Sequence, residues 1–151
     1  MIEQWYCKPF VVGLTPTLGS IKNKEMIKNI IKSWKHIPYT LKHYIAFLKL
    51  EKKLLGYYKY KFHDLDKVLM YLFIPFIGTH RIKMIHRKIN RHHITFYKTN
   101  CNYEEAIIDW ECSRFTKADK PRTAREIVND RPDKNSRHYY ELVRQLNKFN
   151  L

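Results

Sequence analysis

Glycine and proline, the residues that most often end regular structure, are scarce in this chain. Its 151 residues include four glycines and six prolines. Between them, apolar residues recur at helical spacing, as at Met26, Ile30 and Trp34, which share one helix face. No convincing alternation of apolar and polar residues indicates a strand. The sequence therefore predicts an all-α fold, a single compact bundle of about six to seven helices.

Turn residues and capping patterns predict where these helices begin and end. Residues 1–21 are expected to form an irregular N-terminal arm, and residues 1–151 a single domain. Pro38 separates two predicted helices, and Gly56 ends the second of them. The apolar stripe of that second helix comprises Leu41, Tyr44, Ile45, Leu48 and Leu55. The predicted helices are 23–36, 40–55, 63 or 64 to before Pro75, 79 to about 91, 102 to about 116, a short helix ending at Asn129, and 135–148.

The formal net charge is +15, and it is unevenly distributed. Residues 22–61 contain eleven lysines against Glu25 and Glu51. Such a field attracts anions, which include nucleotides, nucleic acid and acidic membranes. An AT-rich genome would also enrich lysine together with Ile, Asn and Tyr. The charge is therefore compatible with a phosphorylated partner and does not by itself establish one.

Cysteine usage and hydropathy indicate the expected compartment. Cys7, Cys101 and Cys112 form no CxxC pair, and their odd number suits free thiols in a reducing environment. The N-terminus lacks a signal-peptide pattern, and the most apolar run, residues 68–78, is too short to span a bilayer. We expect a cytoplasmic protein without a membrane partner.

The placement of histidines and aspartates is the strongest functional signal. His63 and Asp64 are adjacent, and Lys67 follows one helical turn later. The other candidates lie on further predicted helices: His43 on the second, His86 with His92 and His93 on the fourth, and Glu105 with Asp109 on the fifth. One helix can direct only two or three side chains to one point, so a metal centre in a bundle draws ligands from several helices. This joint pattern predicts a divalent-cation centre, although any single histidine is more often structural.

The motif order resembles the HD-domain superfamily of metal-dependent phosphohydrolases. The segment HDLDK is similar to the HDIGK-type motif of the HD-GYP branch. The set LKHYI, HDLDK, HRKINRHH and EEAIIDW most resembles a family of small, mostly phage-encoded and uncharacterised HD-like proteins. The resemblance covers residues 40–125, and it implies a helical HD-type bundle in the cytoplasm, that of the host if the chain is phage-encoded.

The resemblance also implies roles for individual residues. His43, His63, Asp64 and Asp109 match the core metal ligands, and His86, His92 and His93 match the additional histidines of variants that hold more metal. Lys67 matches a lysine that contacts the attacking water or a phosphate. The implied cofactor is a divalent metal ion, Mn²⁺ or Fe²⁺ first, with Mg²⁺ and Zn²⁺ as alternatives.

These observations support a hypothesis of phosphoester hydrolysis at a mononuclear or dinuclear centre. Asp64 is the expected bridging ligand, and Glu105 is either a ligand or a carboxylate that orients a ligating imidazole. The expected partner is a phosphorylated small molecule such as a nucleotide. Four cations after the fifth helix are predicted to bind its phosphates: Arg114, Lys117, Lys120 and Arg122.

An alternative from a different class stays open. A basic helical domain is also typical of nucleic-acid-binding and host-interaction proteins. The metal centre would then be purely structural, and the lysines of residues 22–61 would form the binding surface. Salt dependence of binding distinguishes the two hypotheses.

Overall fold

The computed structural model describes residues 18–95, 97–117, 119 and 121–151. Within these residues the regular structure is entirely helical, which confirms the predicted all-α class. Of the predicted N-terminal arm, residues 1–17 lie outside the described residues, and residues 18–21 are helical. The seven helices of this part of the chain are α1 (Leu18–Leu55), α2 (Leu65–Tyr71), α3 (Ile74–Ile77), α4 (Thr79–Ile89), α5 (Tyr103–Thr116), α6 (Ala124–Asn129) and α7 (Arg137–Lys148).

The predicted break at Pro38 is wrong, because α1 runs through it as one helix of 38 residues. Proline removes only one N–H from the helix, and α1 packs against other helices on both sides of it. Ile37 contacts the core formed by α2, α3 and α4, whereas Phe47 contacts α5. The Thr40 hydroxyl also donates to the His36 carbonyl at 2.9 Å. Tertiary packing thus outweighs the local preference of the helix to end before Pro38.

The buried face of α1 also differs from the predicted apolar stripe. Leu41 and Ile45 are exposed. The buried residues of this face follow helical spacing: Thr40, His43, Phe47 and Glu51. The sequence predicts burial of the apolar stripe because apolar side chains are usually the buried ones. In this protein, polar side chains occupy the interior face, which is expected only where a polar site lies inside the fold.

Helix α5 is the centre of the bundle and contacts α1, α6 and α7. Asn102 caps it by accepting a hydrogen bond from the Glu105 backbone N–H at 3.3 Å, as the capping pattern predicted. One apolar cluster joins α5 to α6 and α7 and comprises Ile107, Ala124, Val128, Leu142 and Leu146. A second cluster joins α5 to α1 through Phe47, Ile108 and Cys112. These two clusters fix the position of α5 relative to α1.

Helices α2, α3 and α4 form a second layer against α1, around a cluster of Tyr71, Ile74 and Ile82. Pro75 does not simply follow a helix as predicted, because it lies in the first turn of the short helix α3, where its missing N–H costs nothing. Helix α4 ends at Ile89, so His92 and His93 lie in the following loop and not on its last turn. The prediction that His92 and His93 lie on the same helix as His86 is therefore wrong.

No helix among the described residues is long and apolar enough to cross a membrane.

Glu51, which is completely buried near the end of α1, organises the loop between α1 and α2. Its Oε1 accepts hydrogen bonds from the backbone N–H groups of Lys59 at 2.8 Å and Tyr60 at 2.6 Å. The Tyr60 carbonyl then accepts a bond from the His63 N–H at 2.9 Å. Glu51 therefore fixes the segment that carries His63 and Asp64 into the interior.

Replacing Glu51 with alanine is expected to lower the free energy of unfolding by about 2–4 kcal/mol, because two backbone donors lose their acceptor. Urea unfolding of the metal-free protein, followed by circular dichroism, measures this change. Lys53→Ala, at an exposed position of the same helix, is the matched control and should change stability by less than about 0.5 kcal/mol. Equal midpoints for the two variants would contradict the assigned role of Glu51.

Candidate metal centre

The structure brings together all the histidines and aspartates predicted as metal ligands. Two groups of potential ligand atoms, each within 4.8 Å of one another, share Asp64. We call them the α4-side group, which comprises Asp64, His86, His92 and His93, and the α1-side group, which comprises His43, His63, Asp64 and Asp109. These buried groups could hold metal ions.

Asp64 lies between the two groups because of an uncommon backbone conformation. It caps α2 with φ 57° and ψ 4°, in the left-handed region that aspartate tolerates better than most residues. Its side chain therefore points inward and is 3% exposed. Oδ1 faces the α4-side group, 3.0 Å from His86 Nε2 and 3.4 Å from His92 Nε2. Oδ2 faces the α1-side group, 3.7 Å from His63 Nε2.

The α1-side group is built by α1, the start of α2 and α5. His43 Nε2 lies 2.8 Å from Asp109 Oδ1, and His63 Nε2 lies 3.5 Å from the same oxygen. The other nitrogen of His43, Nδ1, is 3.1 Å from the Thr116 hydroxyl. The His63 ring stacks on Phe47 with a centroid distance of 3.8 Å. Packing and hydrogen bonding thus hold both imidazoles with Nε2 toward the carboxylates.

Several buried atoms in these groups make no hydrogen bond of good geometry with a described residue, although His86 Nε2 and Asp64 Oδ1 lie 3.0 Å apart. They are His63 Nε2, Asp64 Oδ1, His86 Nε2, His92 Nε2 and His93 Nε2. A buried polar atom without a partner costs on the order of 1–3 kcal/mol, so five such atoms at one place would be a heavy penalty for an ordinary core. All are nitrogen or carboxylate oxygen atoms of the kind that bind divalent transition metals. The residues present therefore fit a metal centre.

Glu105 contacts the centre from behind the imidazoles. Its Oε1 lies 3.0 Å from His63 Nδ1 and 3.2 Å from His92 Nδ1, so one oxygen holds a histidine of each group. Ligand atoms of Glu105, His63 and His92 also lie within 4.8 Å of one another, close enough to hold a metal ion. Hydrogen bonding from Nδ1 to Glu105 leaves the Nε2 atom of each histidine free to bind a cation. A metal bound by Glu105 would instead have to use the two Nδ1 atoms. The geometry favours the orienting role for Glu105 over the ligand role.

Asp66 orients a histidine of the α4-side group in the same way, through its Nδ1 atom. It was not among the residues predicted from sequence. Its Oδ2 lies 2.7 Å from His86 Nδ1 and accepts a hydrogen bond from Asn90 Nδ2 at 2.7 Å. A carboxylate two residues after the His-Asp pair, in HDLDK, was the available sequence signal. It was missed because the orientation of the His86 ring depends on how α2 and α4 pack.

The carboxylates control the protonation of the metal-free centre. Burial by itself would lower the pKa of His63. The nearby carboxylates of Asp109 and Glu105 outweigh this effect and raise the pKa of His63 to about 9. Burial would likewise raise the pKa of Glu105, but hydrogen bonds from His63 and His92 lower it to about 2. Burial, together with the charges of His92 and His86, lowers the pKa of His93 to about 3. The carboxylates are thus ionised at neutral pH, in the form that binds cations.

An open cavity of about 390 Å³ leads to both groups. Its lining includes Asp64 and Asp109, as well as Lys67, whose ammonium donates to Asp64 Oδ2 at 2.5 Å. The cavity also exposes histidines from both sides, His43 from α1 and His86 with His93 from the α4 side. A site enclosed by protein on all sides would be structural, whereas this one is accessible to a ligand.

The four cations predicted to bind phosphate are distributed differently. Lys117 lines the cavity. Arg114 pairs with Glu111 at 3.0 Å and Arg122 pairs with Asp130, and neither lines the cavity. Lys120 lies outside the described residues. Two cations that sequence analysis did not select, Lys83 and Arg87 of α4, line the cavity instead.

Comparison of the chain with protein-family models, with curated proteins and with solved structures found no match. The resemblance to HD-type phosphohydrolases therefore stays an expectation from the sequence motifs.

Glu105 and Asp66 are expected to affect metal binding in different ways. Glu105→Gln should weaken both metal-binding steps by about 10- to 100-fold, because its carboxylate supports a histidine in each group. Asp66→Asn should weaken only one step, because His86 is the one candidate ligand among the described residues that Asp66 contacts. Calorimetric titration of metal-free protein with Mn²⁺ measures both steps. A Glu105→Gln variant that loses only one step would contradict the shared role.

The metal-free protein is expected to lose stability as the pH rises from about 6.5 to about 9. Folding raises the pKa of His63 from 6.5 to about 9, so its contribution is complete below 6.5 and is lost as the pH rises through 9. Urea unfolding in the presence of a chelator, over this pH range, measures the decline. The His63→Gln variant should show a shallower decline, and a parallel decline would exclude His63 as its source.

Proposed function

We propose that this protein is a metal-dependent phosphohydrolase of the HD type with a dinuclear centre. The observation that carries the proposal is the position of Asp64, whose two oxygens face two groups of buried potential ligand atoms at the base of an open cavity, with five atoms of these groups making no hydrogen bond among the described residues. In this proposal the α4-side group and the α1-side group would each hold one cation, and Asp64 would serve both groups.

The choice of cation follows from the donors. The centre offers imidazole nitrogens and carboxylate oxygens and no thiolate within the two groups. This mixed set suits Mn²⁺ or Fe²⁺, with Zn²⁺ and Mg²⁺ as alternatives. Bound cations would supply a water of lowered pKa and positive charge against the phosphoryl oxygens.

The side chains of this chain bind and orient the reacting groups. The carboxylates of Glu105 and Asp66 keep His63, His92 and His86 with Nε2 toward Asp64. Lys67 places an ammonium group beside Asp64 at the cavity wall, where it can donate to a phosphoryl oxygen that gains negative charge in the transition state. Of the residues proposed from sequence, Lys67 and Asp64 thus keep roles in contact with substrate or cofactor, and Glu105 acts through the histidines.

The first test combines metal analysis with turnover. Wild-type protein should contain about two equivalents of transition metal after reconstitution with Mn²⁺, and it should hydrolyse a nitrophenyl phosphate ester. Asp64→Asn should lose at least one equivalent and at least about 100-fold in kcat. His80→Ala, which removes an exposed histidine of α4, is the matched control and should change neither quantity.

Two results would overturn the proposal. The first is a wild-type protein that binds no transition metal after reconstitution. The second is a metal-loaded protein with no turnover of either phosphate monoesters or diesters. Circular dichroism of Asp64→Asn confirms that lost activity does not come from unfolding.

The alternative function, binding of nucleic acid with a structural metal, has one supporting observation. Lysines of α1 whose side chains are described are exposed, including Lys42, Lys49, Lys52 and Lys53. Such binding should weaken steeply with salt, and replacing both His63 and Asp64 with alanine should then unfold the domain. A double variant that folds normally and loses turnover excludes the purely structural centre.

A further inference from the structure

The segment that supplies one wall of the cavity is unusual in charge. Residues 67–103 contain seven lysines and arginines and no aspartate or glutamate. Apart from Lys67, which pairs with Asp64 just before the segment, these cations have no acidic residue within the segment to pair with. Any anion that meets them must come from another element or from a ligand.

Two of these cations, Lys83 and Arg87, lie at the cavity. They are four residues apart on α4, so they share a face of the helix one turn apart. His86, a member of the α4-side group, lies three residues after Lys83 and adjacent to Arg87. Both side chains line the same cavity as His86 and Asp64. They therefore stand next to the place where the metal-bound end of a ligand would lie.

Neither Lys83 nor Arg87 forms an ion pair with any of the residues that the structure describes. The same is true of Lys117, which lines the cavity from the end of α5. By contrast, Arg114 and Arg122, outside the cavity, are paired with acidic residues. The cavity thus retains cations that are free to bind a ligand.

The cavity offers these cations no carboxylate outside the candidate metal groups. Among the described residues, its acidic lining residues are Asp64 and Asp109, and both belong to those groups. A single phosphate at the centre would use the cations there and Lys67. Lys83 and Arg87 would then face solvent without an anionic partner, although the guanidinium of arginine is well suited to bind two phosphate oxygens.

We propose that Lys83 and Arg87 form a second phosphate subsite, so that the substrate carries a further phosphate beside the one held at the metal centre. The proposal rests on the proposed hydrolase function and specifies its substrate class. Nucleoside diphosphates and triphosphates, and other esters with adjacent phosphates, have this chemistry. A cavity of about 390 Å³ lies within the range that accommodates such small ligands.

The neighbouring face of the same helix supplies a matched control. Arg81 and Lys88 also lie on α4, but they line an apolar groove with Met84 and Ile85 and not the cavity with the metal groups. The pair Arg81→Ala and Lys88→Ala removes the same charge from the same helix as Lys83→Ala and Arg87→Ala. All four side chains are exposed, so both double variants are expected to fold.

The experiment compares two probes that the enzyme cannot cleave, orthophosphate and methylenediphosphonate. Each is titrated into Mn²⁺-loaded protein at a fixed free Mn²⁺ concentration, and the metal content is measured again afterwards. Wild-type protein should bind the diphosphonate at least about tenfold more tightly than orthophosphate, because a second phosphate adds charge-assisted hydrogen bonds. The variant lacking Lys83 and Arg87 should lose that advantage and change orthophosphate affinity by less than about threefold.

Each other outcome overturns the proposal. If wild-type protein binds both probes equally, or if the Arg81 and Lys88 control loses as much affinity as the test variant, no second subsite exists on this face. In that case, wild-type protein that still binds Mn²⁺ and orthophosphate would leave the proposed hydrolase function intact. If the protein binds no Mn²⁺ and no orthophosphate, the hydrolase function and the second subsite fail together.

Discussion

The contact on which the rest of the structure depends is the buried carboxylate of Asp64 among imidazoles of two groups. A charged side chain that is 3% exposed is costly unless opposite charge or a cation compensates it. Burial alone would raise the pKa of Asp64, but contacts from His86 and His92 lower it below its usual range. The carboxylate therefore stays ionised inside the protein. The surrounding helices are arranged so that ligand atoms, rather than apolar groups, meet it.

That requirement explains several features that would be unfavourable elsewhere. Helix α1 buries His43 and Glu51 on the same face as Phe47, and it exposes Leu41 and Ile45. The left-handed conformation of Asp64 adds a small backbone cost at the same place. Uncommon backbone conformations and buried polar groups persist where packing or a ligand compensates for them. In this protein the apolar cluster between α1 and α5 supplies part of the compensation. The metal ions that we propose would supply the rest.

A second set of carboxylates gives the centre its geometry. Glu105 and Asp66 contact the Nδ1 atoms of three histidines and thereby turn their Nε2 atoms toward Asp64. Because one oxygen of Glu105 contacts a histidine of each group, the two candidate groups are joined through Glu105 as well as through Asp64. Beyond this polar interior, the free cations of α4 extend the site toward solvent. In the function that we propose, the cavity would hold metal at its base and a phosphate beside the free cations of α4.

The sequence by itself determined the helical class, most helix ends and the set of candidate metal ligands, because helix periodicity, capping residues and ligand chemistry are local properties. Asn102 with Glu105, and Gly56 after α1, were predictable in this way. Tertiary structure alone decided that α1 continues through Pro38, since contacts on both sides of it outweigh one missing hydrogen bond. It also decided which cations reach the cavity. Arg114 and Arg122 are adjacent to the site in sequence but pair elsewhere, whereas Lys83 and Arg87 reach the cavity because α4 packs beside α2.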